Sequence, residues 1–174
     1  IEFFPVCHSI PDAVGLIIRT PLGVIVHSGD FKIDHTPVDG KPTDMSRLAE
    51  VGVEGVMLLM ADSTYAEAPG YTPSERVVGE NLERVMARAP GRVLVTTFSS
   101  LISRVQQIID AAENQGRRVF IVGRAMTDNV KMSLELGYLK DEFGTIGNLE
   151  ELRKLPPERV VVITTGSQGE PTSA

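Results

Sequence analysis

Apolar and polar positions alternate along this chain with two different rhythms. Over residues 1–69 the apolar runs are short and rich in β-branched residues, as in strands. Residues 1–6 form such a run, ending near His8. Residues 15–19 and 23–27 form two more, separated by Thr20-Pro21-Leu22-Gly23, which predicts a hairpin. His8 and Asp30 therefore both stand just past strand ends, where loops on a rigid base display chemistry. Residues 31–42 are turn-rich, with Pro37, Gly40 and Pro42. Thr43 or Asp44 is placed to cap a short helix through Ser46 and Ala49, stopped near Gly52. Residues 55–61, GVMLLMA, read as a continuous apolar strand buried on both faces that ends at Asp62-Ser63-Thr64.

From Thr72 onward strands alternate with helices. Thr72-Pro73-Ser74-Glu75 predicts a helix start with Thr72 as N-cap and Glu75 closing a capping box. Val77, Val78, Leu82, Val85 and Met86 follow at helical spacing, and Pro90-Gly91 ends the run. A strand at 92–97 leads into a helix beginning at Ser99 or Ser100 and reaching about Asn114. A strand at 119–122 leads into a helix at 127–136, stopped by Gly137. A short helix at 149–154 precedes a strand at 159–165. Alternation of this kind predicts a parallel sheet with right-handed crossovers, so the fold class expected is α/β.

Composition narrows the partners. The chain has 174 residues, 42% hydrophobic and 23% charged, with a formal net charge of −6. A negative balance argues against a simple basic wrapper around nucleic acid, whose phosphates need Lys and Arg. Cys7 is the single cysteine, which excludes an internal disulfide and points to a reducing compartment, the cytoplasm. No apolar run reaches the ~18 residues a membrane helix requires. The chain opens in what reads as a strand and stops in what reads as a turn, so a fragment is expected.

Candidate chemistry starts with His8, in H-S-I-P-D, and Asp30, in the S-G-D turn. An imidazole and a carboxylate converging from strand ends suit zinc, which accepts both ligand types and supports hydrolysis. The remaining histidines are His27, on the strand before that turn, and His35, in the loop after it. No C-x-x-C, H-x-x-x-H or H-x-H-x-D-H motif is present. Gly166-Ser167-Gln168-Gly169-Glu170 follows a predicted parallel strand, where exposed backbone N–H groups can cradle phosphate. It has neither the spacing nor the lysine of a P-loop, and a glycine-rich turn that merely closes the strand fits equally. Arg124, in V-G-R-A-M, is a candidate for a phosphate contact, though an ordinary surface arginine fits the pattern better. Ser99 and Ser100 read as helix caps, and Arg117-Arg118 as a solvated strand entrance.

HSIPDAVG, TPLGVIVHSGDFKID and ADSTYAE, followed by TPSE, TFSS, RVQQIIDAA, VGRAM and TTGSQGEP, resemble the ribonuclease J family in order and spacing. That family consists of RNA-processing nucleases of the metallo-β-lactamase fold carrying an inserted β-CASP domain. The resemblance implies that residues 1–70 are part of a metallo-β-lactamase αββα sandwich and 71–174 part of the β-CASP domain. It implies a site holding two zinc ions, with His8 as a zinc ligand, Asp30 bridging the metals, and Asp62 supporting them by hydrogen bonding. By the same resemblance the turn holding Gly166, Ser167 and Gly169 lies near the RNA path, with Ser167 the candidate phosphate contact. The family's H-x-H-x-D-H motif belongs upstream and two further histidines downstream, and none of these is in the sequence. Where the family often has Asn-Ile-His after TFSS, this chain has Leu101-Ile102-Ser103. The implied activity is 5′-to-3′ exonucleolytic and internal cleavage of RNA by a dimer or tetramer without membrane contact. The fragment alone is expected not to hold a stable di-zinc centre and to be inactive. The alternative is a non-catalytic β/α module that binds nucleotide or phosphate at its strand ends.

Overall fold

The first three strands, β1 (Glu2–Pro5), β2 (Val14–Thr20) and β3 (Gly23–His27), are the short β-branched runs of the sequence. They pair antiparallel in succession, and β4 (Val56–Met60) then joins β3 in parallel, giving the order β1-β2-β3-β4. These coordinates are a computed structural model, and they describe residues 1–166. Ser167 and Gly169 lie outside the described residues.

A parallel neighbour requires a crossover, and α1 (Met45–Glu54) supplies it between β3 and β4. The Asp44 carboxylate accepts the Arg47 N–H at 2.9 Å and caps this helix. Thr43, the other candidate cap, instead ties two loops together. The helix does not stop at Gly52. Val51 is fully buried with Phe4, Val6, Ile17 and Val26, and that packing outweighs the ~1 kcal/mol penalty of a helical glycine. It ends at Gly55, whose φ of 97° suits glycine. Gly15 is needed for close packing, because a Cβ there would enter the Phe4 ring. At the strand ends Glu2 accepts from Arg19 at 2.7 Å and from Arg47 at 2.5 Å. The Arg47 hydrogen bond, then the Arg19 one, lowers the Glu2 carboxyl to about 2.

β4 departs from expectation. The strand forms where predicted, but none of its five residues is buried, with exposures between 36% at Val56 and 63% at Leu59. It is an edge strand, paired only with β3 among the described residues, and its side chains on both faces stay open.

The chain divides into two units, Ile1–Arg76 and Val77–Ala174, the break falling in the first turn of α2 (Glu75–Arg88). The second unit contains β5 (Val93–Thr96), α3 (Ile102–Asn114), β6 (Arg118–Ile121) and α4 (Arg124–Glu135). Beyond them come β7 (Ile146–Gly147), α5 (Leu149–Leu152), a 3₁₀ turn at Pro157–Arg159 and β8 (Val160–Thr164). Its sheet is wholly parallel in the order β5-β8-β6-β7, the β/α architecture expected. α3 presents Val105, Ile108, Ile109 and Ala112 to a core shared with Met86, Val119, Met126, Val161 and Ile163.

Helix starts differ from the sequence reading. α2 begins at Glu75 rather than Pro73, and Thr72 is not its cap: the Ser74 hydroxyl accepts the Arg76 N–H at 3.3 Å, and the Asp34 carboxylate, distant in sequence, accepts the Glu75 N–H at 3.2 Å. The N-cap of α3 is Leu101 without any side-chain bond, so neither Ser99 nor Ser100 caps it. α4 starts at Arg124, three residues early, directly after Gly123 at φ 100°. Two-residue β7 was not foreseen; its length is too short for a periodic signal.

Arg117 is the largest correction. It is 6% exposed rather than solvated. Its guanidinium donates to the carbonyls of Met86 (2.9 Å), Ala89 (2.6 Å) and Gly91 (2.8 Å), which cluster at the end of α2. Helix C-termini leave such carbonyls unpaired, and a forked cation meets three at once.

Candidate metal centre

The loop after β1 and the loop after β3 are stitched together backbone to backbone. Lys32 N–H donates to Cys7 O at 2.7 Å, the isolated bridge between them. Buried Thr43 reinforces the join: its hydroxyl accepts the Cys7 N–H and donates to Lys32 O, each at 2.9 Å. His8 follows Cys7 and Asp30 precedes Lys32 by two, so this stitch brings the two side chains to one place. His8 Nε2 lies 3.8 Å from Asp30 Oδ2, with side-chain exposures of 33% and 78%.

The turn bearing Asp30 is shaped by Gly29. Its φ is 63°, and a Cβ would lie 2.8 Å from the Val14 carbonyl oxygen, so conformation and space both require glycine. The Gly29 N–H donates to His27 Nδ1 at 3.0 Å, which makes Nδ1 of His27 the acceptor nitrogen. Ser28 ties this turn to the end of β4. Its N–H donates to Met60 O, and its hydroxyl accepts the Asp62 N–H at 2.9 Å while donating to Gly29 O at 2.6 Å.

Asp62 is thereby delivered beside the same turn. Its Oδ1 accepts from the Thr64 hydroxyl at 2.6 Å and the Thr64 N–H at 3.0 Å. These bonds lower its pKa, hydroxyl first, with further help from the Phe31 N–H and nearby His8. His8, Asp30 and Asp62 therefore gather in one place. Among the described residues they do not amount to a group of three or more ligands close enough to hold a metal.

The pair fits part of a zinc site. An ion bonding each donor at about 2.0–2.2 Å spans two donors up to roughly 4 Å apart, and His8 Nε2 and Asp30 Oδ2 fall within that. Both face solvent in part, and both are zinc donor types. Two donors do not complete the four of a tetrahedral site. Sequence reasoning missed Ser28, Thr43 and Asp34, which hold the loops. What marks them is that all three polar residues are buried, and burial is not visible in sequence.

The candidate phosphate residues belong to the other unit. Arg124 opens α4 and Gly166, at φ 99°, follows β8. Because β8 lies between β5 and β6, the Gly166 turn leaves the sheet between residues 97–98 and 122–124. Thr97 N–H to Thr164 O (3.1 Å) and Val122 N–H to Ile163 O (2.9 Å) fix this register. Carboxyl ends of parallel strands are the usual ligand edge of such a sheet.

The family description "Ribonuclease J, beta-CASP domain" matches residues 90–174. Proteins named Ribonuclease J are similar along almost the entire chain. That from Thermus thermophilus is 53% identical, covering 99% of this chain and 30% of its own length. Those from Mycolicibacterium smegmatis and Synechocystis are 49% and 48% identical, covering 99% and 100% of this chain and 31% and 27% of themselves. The chain thus spans about 30% of the curated relatives it matches. A crystal structure of a protein of unknown function from Enterococcus faecalis V583 superimposes with a TM-score of 0.62. It is 19% identical and covers 96% of this chain and 42% of its own, a likeness of fold alone. On identity that runs from end to end and a match to the β-CASP domain, the chain belongs to the ribonuclease J family.

Proposed function

We propose that these residues are part of a zinc-dependent ribonuclease that hydrolyses RNA phosphodiester bonds in RNA processing and decay. The observation that carries this is the approach of His8 Nε2 to Asp30 Oδ2 at 3.8 Å, with Asp62 tied to the same turn, in a chain about half identical to proteins named Ribonuclease J. His8 would hold zinc through Nε2. Asp30 would hold it through its carboxylate, shared between two ions and offsetting part of their charge. Zinc bound there supplies an activated water near neutral pH and stabilises charge developing on the phosphoryl oxygens. Asp62, engaged by Thr64 and Phe31, is a poor ligand but a firm support for the turn. The remaining ligands come from the longer protein, so the 174 residues alone are inactive.

RNA is the substrate, read from its 5′ end with a preference for a 5′-monophosphate, with internal cleavage as a second mode. Gly166, Ser167, Gly169 and Arg124 meet its phosphates. The full protein acts as a homodimer or homotetramer in the cytoplasm, which agrees with a lone free cysteine. Among the described residues no helix is long and apolar enough to cross a membrane.

The test is Asp30→Ala in the full-length protein, measuring zinc content and cleavage of 5′-monophosphorylated RNA. Loss of at least one zinc and of cleavage is expected. Unchanged zinc together with unchanged cleavage overturns the assignment.

A further inference from the structure

The loop carrying Asp30 ends in a buried carboxylate that no ligand set uses. Asp34 is 5% exposed, and its side chain only 2%. Oδ1 accepts the Thr36 N–H at 3.0 Å, and Oδ2 accepts the Glu75 N–H at 3.2 Å. Lys32 stands beside it, with Nζ 3.7 Å from Asp34 Oδ2 and 3.5 Å from Glu75 Oε1 while donating to Pro73 O at 2.8 Å. Thr36 and Ser74 close the join, hydroxyl to hydroxyl at 3.1 Å and Ser74 hydroxyl to Thr36 O at 3.1 Å. Residues 32–36 are thus latched to 73–75, all within the first unit.

A neutral cap would satisfy one helical N–H without burying a charge, and an unneeded buried charge is unfavourable. Lys32 shows what the charge achieves. Its side chain is held by the latch, while its backbone forms the stitch to Cys7, next to His8. The Asp30 side chain is 78% exposed, so its position is inherited from this backbone. We propose that Asp34 is a positioning residue that, through Lys32, sets the spacing of His8 and Asp30 for metal. This rests on the reading of His8 and Asp30 as metal ligands.

The test is Asp34→Asn in the full-length protein, which keeps one acceptor and removes the charge. Residues supporting metal ligands typically change affinity or activity by ~10–100-fold when altered. Expected is a fall of about tenfold in zinc affinity, read by chelator competition. kcat should fall alongside with KM within roughly twofold, and excess zinc should restore kcat. A merely structural role would lower the melting temperature without zinc rescue. A folded Asp34→Asn with unchanged zinc affinity and kcat overturns the proposal. If Asp34→Asn does not fold, the Thr36→Val, Ser74→Ala double variant loosens the same latch. Weaker zinc binding then supports the proposal, and unchanged binding overturns it. Asp30→Ala in parallel separates the layers: loss with Asp30→Ala but not Asp34→Asn overturns the latch alone. No loss with either overturns the metal site beneath it.

Discussion

β4 and β8 are five-residue apolar strands, VMLLM and VVVIT, and they reach opposite environments. Val160, Val161 and Ile163 of β8 are fully buried, whereas every residue of β4 is at least 36% exposed. β8 has β5 and β6 on its two sides and helices packed against its core residues; among the described residues β4 has only β3. An apolar run measures what a strand is able to bury, and neighbouring layers decide whether it does. The two ends of α2 make a second comparison. In the first unit buried Asp34 accepts its leading N–H, and in the second buried Arg117 donates to carbonyls at its trailing end. Each charge matches the helix dipole at its end, yet the two are embedded in different networks.

The largest contrast tests the strands. Ile163→Ala removes buried methylenes and is expected to destabilise by about 2–5 kcal/mol. Leu59→Ala, at 63% exposure, should change the stability of this chain by no more than about 0.5 kcal/mol. Urea unfolding measures both, and equal losses would break the comparison. Arg117→Met comes next. It strands three carbonyl acceptors and should destabilise the second unit by about 2–4 kcal/mol, read as lost amide-exchange protection over residues 77–166. Protection over 1–76 should hold, and a uniform loss would show the two units to unfold as one.

Gly29→Ala is smaller in stability but larger in function. A left-handed non-glycine residue costs about 1–3 kcal/mol, and the Cβ would press on the Val14 carbonyl. Zinc content and RNA cleavage of the full-length protein should fall, while the second unit keeps its exchange protection. Acid gives the mildest effect. Glu2, Asp34 and Asp62 have lowered folded pKa values and all lie in the first unit. For Asp34 burial pushes the carboxyl up, but hydrogen bonds from Thr36, Ser74 and Glu75, with Lys32 nearby, hold it down. Groups lowered on folding stabilise above their ordinary values and cease to as pH falls through the folded ones. For Glu2 that window runs from 4.5 to about 2. NMR amide signals of 1–76 should therefore be lost at higher pH than those of 77–166, and Glu2→Gln should narrow the gap.

Much of this was legible in the sequence because it is local. Strand and helix types followed from the period of apolar residues, and the hairpin from Thr20 to Gly23. His8, Asp30 and Asp62 were singled out as candidates by motifs at strand ends. The misread charged residues share one cause, a partner far along the chain. Arg117 and Arg118 are adjacent and alike in sequence, but Arg117 turns inward to carbonyls 26 to 31 residues away. Arg118 meets Glu151 at 3.0 Å. Thr72 has the local form of a cap, but Ser74 and Asp34, the latter 41 residues from Glu75, take its place.

The sequence by itself determined the α/β class, the order of elements and the chemical types at the candidate site. Those depend on residue spacing and on which groups bind metal. Tertiary structure alone decided that β4 stays open and that Arg117 and Asp34 are buried. It also decided that His8 and Asp30 stand 3.8 Å apart. Burial and distance arise from segments meeting across the fold, and that meeting is set by packing rather than by any local pattern.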